Sequence, residues 1–153
     1  MIKILITADN HLGKYYKKLV PERLNERRRK IAEIYNSGLS EIDNIILPEN
    51  YGSSAKNNKL YHVYNLYTIR VADGRRDALQ RHLKNKGIDS MVYYPVPLHK
   101  MKVFEGRCKV FGDLKESEKA SKEVLSLPIG PLMEEKDVLK VIEAIKEFFD
   151  KTL

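Results

Sequence analysis

The stretch His62-Val63-Tyr64-Asn65-Leu66-Tyr67-Thr68-Ile69-Arg70-Val71 alternates along its whole length. Successive side chains of an extended chain point to opposite faces. Val63, Asn65, Tyr67, Ile69 and Val71 are therefore expected on one face, and Tyr64, Leu66, Thr68 and Arg70 on the other. Asp73-Gly74 closes this strand as a turn. The period then changes. Arg76–Lys86 reads as a helix stopped at Gly87, with Leu79 and Leu83 one turn apart. Ile88–Tyr94 reads as a second strand, ended by Pro95 and Pro97. A helix over roughly Lys115–Leu125 leads into a short extended Ser126–Ile129. Val138, Val141, Ile142, Ile145, Phe148 and Phe149 mark the clearest amphipathic helix, with Val141 and Phe148 expected in its core.

Upstream, Ile2–Thr7 reads as a short buried strand, with Ile2, Ile4 and Ile6 on one side and Leu5 on the other. A helix is expected from Pro21, because proline suits the first helical turn and few breakers follow before Gly38. Leu24, Ile31, Ile34, Tyr35 and Leu39 give it an apolar stripe. Residues 48–60 are polar and aperiodic. Strands alternating with helices across short loops predict an α/β (α+β) sandwich. Its small, mostly antiparallel sheet is packed by helices, beside a long N-terminal helix and a stray N-terminal strand. The expected organisation is an N-terminal strand and loop over 1–20, a connecting helix over 21–47, a polar linker over 48–60 and the principal unit over 61–153.

The chain has 153 residues, 42% hydrophobic and 32% charged, which suits one soluble domain with its own core. No apolar run approaches the ~20 residues of a membrane span. Ile2–Ala8 is interrupted by Lys3 and is no signal peptide. The single cysteine, Cys108, excludes an intramolecular disulfide and a cysteine zinc cage, so a cytoplasmic location is expected. Its neighbours Arg107 and Lys109 would lower a thiol pKa, but with no base beside it an ordinary loop cysteine is the expectation. A net charge of +7 is concentrated between Lys14 and Lys30. Such a run is either a solvated helix face or a phosphate or nucleic-acid contact. Aromatic residues are not interleaved for base stacking, which weakens the nucleic-acid reading.

Thr7-Ala8-Asp9-Asn10-His11-Leu12-Gly13 follows the first strand. Asp9 and His11, two residues apart at a strand end, can reach one divalent metal. This segment, with Lys14-Tyr15-Tyr16-Lys17-Lys18 and Pro21-Glu22-Arg23-Leu24, resembles the start of the calcineurin-like metallophosphoesterases, especially their DNA-repair nuclease branch. The resemblance covers about residues 1–30. The remaining histidines, His62, His82 and His99, lie in none of that family's later motifs. Open catalytic metal sites take about three protein ligands, so two are insufficient.

A second series runs in order through the rest of the chain. It comprises Leu24-Asn25-Glu26-Arg27-Arg28-Arg29-Lys30-Ile31, Asn44-Ile45-Ile46-Leu47-Pro48, the His62–Val71 strand and Arg76-Asp77-Ala78-Leu79. It continues with Lys86-Gly87-Ile88, Tyr93-Tyr94-Pro95-Val96-Pro97-Leu98-His99 and Val124-Leu125-Ser126-Leu127-Pro128. Over about residues 23–153 this resembles the C-terminal small domain of the DegT/DnrJ/EryC1/StrS sugar aminotransferases, which depend on pyridoxal phosphate. Asn65 and the Tyr93–His99 segment most resemble the branch acting on 3-oxo sugar nucleotides such as a UDP-linked glucuronate. The resemblance implies a nucleotide-sugar partner and places His99, Tyr94, Tyr93 and Asn65 as substrate-binding candidates.

Bottom-up, His99 follows two prolines that fix an extended loop, where its imidazole either contacts a substrate or bonds backbone. Tyr93 and Tyr94 alternate faces, so at most one is expected to face a ligand. Asn65 is either a satisfied core amide or a site residue. Amino transfer needs a lysine, a carboxylate on the pyridine nitrogen and phosphate donors. No lysine here stands in the family's Ser-Phe…Lys-x-x-x-x-Gly-Glu-Gly-Gly context, so no catalytic or cofactor-binding residue is nominated. The expectation is a small-domain fragment, inactive alone and not binding the cofactor, able to self-associate. A fusion, a misassembled reading frame and an artificial chimera all fit its two-part character. The alternative is a basic phosphate or nucleic-acid binder with a residual metal motif at Asp9 and His11.

Overall fold

The computed structural model describes residues 21–49, 62–107 and 109–150. The expected Ile2–Thr7 strand, Asp9, His11, Cys108 and most of the polar linker lie outside the described residues. Among the described residues there are four α-helices and a three-stranded sheet: α1 (Pro21–Leu39), β1 (Ile45–Ile46), β2 (Tyr67–Val71), α2 (Arg76–Asn85), α3 (Lys115–Glu123), β3 (Val124–Leu127) and α4 (Glu135–Asp150). The strand order is β1-β2-β3, antiparallel throughout, with Ile45 opposite Val71, Tyr67 opposite Leu127 and Ile69 opposite Leu125.

One face of the sheet carries the core. Tyr67, Ile69 and Val71 are fully buried at period 2, and Leu125 and Leu127 continue their face on β3. Helix α4 supplies Val138, Val141, Ile142, Ile145 and Phe149 on one stripe, and α1 supplies Ile31, Tyr35 and Leu39. Each such side chain contributes about 1.5–3 kcal/mol when taken out of water. Gly38 lies inside α1 rather than ending it. A Cβ there would stand 2.6 Å from Ile142 Cδ1, so glycine permits the close approach of α1 to α4. Phe149 is buried, but Phe148, expected in the core, is only partly buried. Its ring lies 5.5 Å from the His82 ring and 5.0 Å from the Arg75 guanidinium.

The second helix ends where expected. Gly87 takes φ +75, the Ile88 amide donates to Leu83 O at 2.9 Å and the Gly87 amide to Lys84 O at 3.0 Å. This is a Schellman closure, with Ile88 over Leu83.

The strands differ from expectation in three places. Tyr67–Val71 is extended, but His62–Leu66 is not, because Tyr64 adopts φ +47 and its amide donates to His62 Nδ1 at 2.9 Å. That bend carries Tyr64 into the core and turns Val63, Asn65 and Leu66 to solvent. Asn65 is thus an exposed bend residue and not a core amide. Ile88–Tyr94 forms no strand. Met91 alone bridges to Ser126, and Pro95 and Pro97 supply no amides to extend the pairing. Finally, α3 stops at Glu123 and β3 begins at Val124, earlier than the sequence suggested, because Val124 is already extended (φ −66, ψ 136).

Candidate functional site

The segment from Met91 to Phe104 leaves the sheet at the Met91–Ser126 bridge and crosses to α3. Gln80 Nε2 donates to Ser90 O at 3.1 Å, fixing its start on α2. Tyr93 and Tyr94 follow, joined by a cis peptide, with rings edge-on at 5.9 Å. Tyr93 is 40% exposed and Tyr94 75%, so Tyr94 is the more open to a ligand. Pro97 is extended (φ −65, ψ 148) and starts a 3-10 turn over Leu98–Lys100, followed by another over Lys102–Phe104. The Lys100 amide donates to Pro97 O at 2.9 Å and the Met101 amide to Leu98 O at 3.1 Å.

Glu118, on α3, holds this turn. Its Oε1 lies 3.1 Å from His99 Nε2, and its Oε2 lies 2.7 Å from Lys100 Nζ. The Lys100 contact first, and then the His99 contact, holds the Glu118 carboxyl below the usual glutamate range. The His99 side chain is only 15% exposed, whereas Lys100 is 52% exposed. His99 therefore bonds a side chain, neither the backbone nor open solvent alone.

Around this turn the apolar surface is uncovered. Val96, Leu98 and Val103 are exposed, and Phe111 is 82% exposed. Asn65 is exposed as well. No hydrogen bond or ring contact among the described residues joins it to Tyr93, Tyr94 or His99. Tyr93, Tyr94 and His99 thus share one segment, and Asn65 stands on the bend before β2. Sequence reasoning missed Glu118 and Lys100. Glu118 is 19 residues from His99 and looks like any solvated helix glutamate.

On the other face of the sheet, Arg70 donates through Nε to Glu123 at 2.9 Å, and Thr68 Oγ1 lies 2.7 Å from Ser126 Oγ. Buried Arg76 reaches Ser121 O at 3.3 Å and Val124 O at 3.2 Å, capping the carbonyl end of α3. These contacts hold α3 and so the residue that grips the turn. Far along the chain, Arg27 and Lys30 of α1 line a groove of about 170 Å³ with Ile31, Ile34, Met133 and Glu135.

Among the described residues every lysine is exposed, and no group of three or more His, Cys, Asp or Glu side chains is placed to hold a metal. No helix among them is long and apolar enough to cross a membrane.

Comparison with known proteins gives a consistent match. The model of the DegT/DnrJ/EryC1/StrS aminotransferase family matches residues 17–146. The chain is 42% identical over 130 residues to a "Pleiotropic regulatory protein" of Geobacillus stearothermophilus, covering 84% of this chain and 33% of that protein. It is 37% identical over 127 residues to a dTDP-3-amino-3,4,6-trideoxy-alpha-D-glucose transaminase of Streptomyces venezuelae, covering 83% of this chain and 31% of that one. The crystal structure of S. venezuelae DesV with a ketimine intermediate superposes with a TM-score of 0.71 at 37% identity, over 83% of this chain and 32% of DesV. The chain spans about a third of the length of these relatives.

Proposed function

This chain belongs to the DegT/DnrJ/EryC1/StrS aminotransferase family, and on that premise we propose that it forms the small α/β unit of a sugar-nucleotide aminotransferase. In that reading it is the C-terminal part of the enzyme. It lends a substrate-facing segment to amino transfer from glutamate to a keto sugar nucleotide, such as a 3-oxo derivative of UDP-glucuronate. The observation that carries the reading is the Tyr93–Lys100 segment, exposed along Tyr93 and Tyr94 yet pinned by Glu118 through His99 and Lys100. Exposed side chains on a fixed turn are preorganised for a ligand.

The family is pyridoxal-phosphate dependent, and that group supplies the electron sink for amino transfer. Its anchoring lysine needs a sheltered pocket, and the described lysines are all exposed. The described residues do not fit the cofactor, so no step of amino transfer is assigned to any of them. Their role is to bind and orient the sugar nucleotide. Tyr94 and Tyr93 offer ring faces and hydroxyls, and His99 offers one polar atom.

The test is an amide NMR titration of the full chain with UDP-glucuronate, using UDP as control. Shifts at Tyr93, Tyr94 and His99 that need the sugar support the reading. Absence of any shift there at saturating ligand contradicts it.

A further inference from the structure

We propose that Glu118 is a positioning residue that sets His99 to offer its Nδ1 as a hydrogen-bond acceptor, so that the Leu98–Lys100 turn takes a sugar hydroxyl and not a phosphate. This rests on the sugar-nucleotide reading above.

An ionised carboxylate only accepts hydrogen bonds. Glu118 Oε1 at 3.1 Å therefore requires the proton of a neutral His99 to sit on Nε2. The other ring nitrogen then carries a lone pair. His99 Nδ1 has no partner among the described residues, and it is not one of the buried unpartnered atoms, which are Arg75 Nη2, His82 Nε2 and Ser90 Oγ. It consequently meets solvent. This is the polar atom the turn presents.

Lys100 would ordinarily be the phosphate-seeking group of such a turn, since an ammonium donates three hydrogen bonds. Here its Nζ is held 2.7 Å from Glu118 Oε2. The same carboxylate thus occupies both basic side chains, and the Glu118–Lys100 pair is neutral. The esterified diphosphate of a nucleotide sugar has no proton to give Nδ1, and at Lys100 it meets the N–H groups that Glu118 leaves beside a carboxylate that already neutralises them. A sugar hydroxyl donates to Nδ1 with no rearrangement. The turn is therefore matched to the sugar half of a nucleotide sugar, and the diphosphate must be bound by other groups.

The experiment is a long-range proton–nitrogen NMR correlation on the His99 ring in the full chain, at about pH 8, above the ordinary histidine range. In the free protein the expected pattern is a bare Nδ1 with a slowly exchanging proton on Nε2. In Glu118→Ala, at a helix position where alanine is favoured, that proton exchanges rapidly and both nitrogens move toward the averaged values of free imidazole. UDP-glucose is expected to move the Nδ1 signal of the wild type, and methyl phosphate, a dianion with neither proton nor hydroxyl at this pH, is not. In Glu118→Ala, the response of Lys100 to methyl phosphate grows.

A proton on Nδ1 in the wild type, or an identical ring pattern in Glu118→Ala, overturns the positioning role. An equal response of Nδ1 to methyl phosphate overturns the hydroxyl preference. Shifts at Tyr93 and Tyr94 with a silent Nδ1 overturn this proposal alone. No response to UDP-glucose anywhere from Tyr93 to Phe104 overturns the sugar-nucleotide reading with it.

Discussion

The ring of Tyr35, on α1, stacks on the ring of Tyr67, on β2, with 4.8 Å between centroids and 25° between planes. Each phenol is also tied at its far end: Tyr35 donates to Pro128 O at 2.8 Å, and Tyr67 to Asn36 Oδ1 at 2.6 Å. The pair joins the long helix to the sheet, so α1 shares the core of the β2–β3 unit. Burial pushes both hydroxyls well above the usual tyrosine range; Tyr67 raises Tyr35 further, and Tyr64 raises Tyr67.

An alkaline limit on stability follows from that pair. The folded-state values lie above the unfolded ones, so the folded protein keeps protons that the unfolded chain releases. Stability should hold up to the ordinary tyrosine range near pH ~10 and fall as the pH rises beyond it. Denaturant midpoints between neutral and strongly alkaline pH will check this. Tyr35→Phe/Tyr67→Phe should flatten the decline, and an unaltered decline would contradict the assignment.

Gly38→Ala places a methyl 2.6 Å from Ile142 Cδ1. Alanine gains up to about 1 kcal/mol in helix propensity, while overpacking typically costs about 1–3 kcal/mol. A net loss is expected in the denaturant midpoint, and a smaller one when Gly38→Ala is made in an Ile142→Ala background. A stabilised Gly38→Ala would show that α1 and α4 are not in contact there.

Arg76→Met removes the donors that cap Ser121 O and Val124 O. Charged hydrogen bonds of this kind contribute about 1.5–3 kcal/mol, and a loss of that order is expected. Since α3 carries Glu118, amide exchange should also quicken along Lys115–Glu123. Unchanged protection there would detach Arg76 from the support of the turn.

The two terminal phenylalanines separate burial from mere helical spacing. Phe149→Ala should cost about 3–5 kcal/mol, as for a buried ring. Phe148→Ala should cost clearly less, because Phe148 is partly exposed and its partners include the Arg75 guanidinium. Equal losses in a denaturant series would contradict this ordering.

Periodicity made α1, α2 and α4 legible, because their buried positions repeat on one face and Pro21 and Gly87 mark ends by local chemistry. Strand ends were harder to read. The alternation over His62–Leu66 is real in the sequence, yet one left-handed residue, Tyr64, breaks it in space. The Ile88–Tyr94 pattern failed because edge pairing depends on what β3 offers, and only Ser126 pairs with it. At the site, the prolines before His99 announced a fixed loop. Its anchor on Glu118 is a long-range side-chain contact, and nothing in local sequence encodes it.

Photocrosslinking with a UDP-glucuronate analogue that carries a diazirine on its sugar ring, followed by peptide mapping of the full chain, tests the central claim most directly. The sugar-nucleotide reading predicts crosslinks in Met91–Phe104, competed away by unlabelled UDP-glucuronate and reduced in Tyr94→Ala. Crosslinks confined instead to Arg23–Lys30 of α1, competed equally by inorganic phosphate, would make the chain a basic phosphate binder and contradict it.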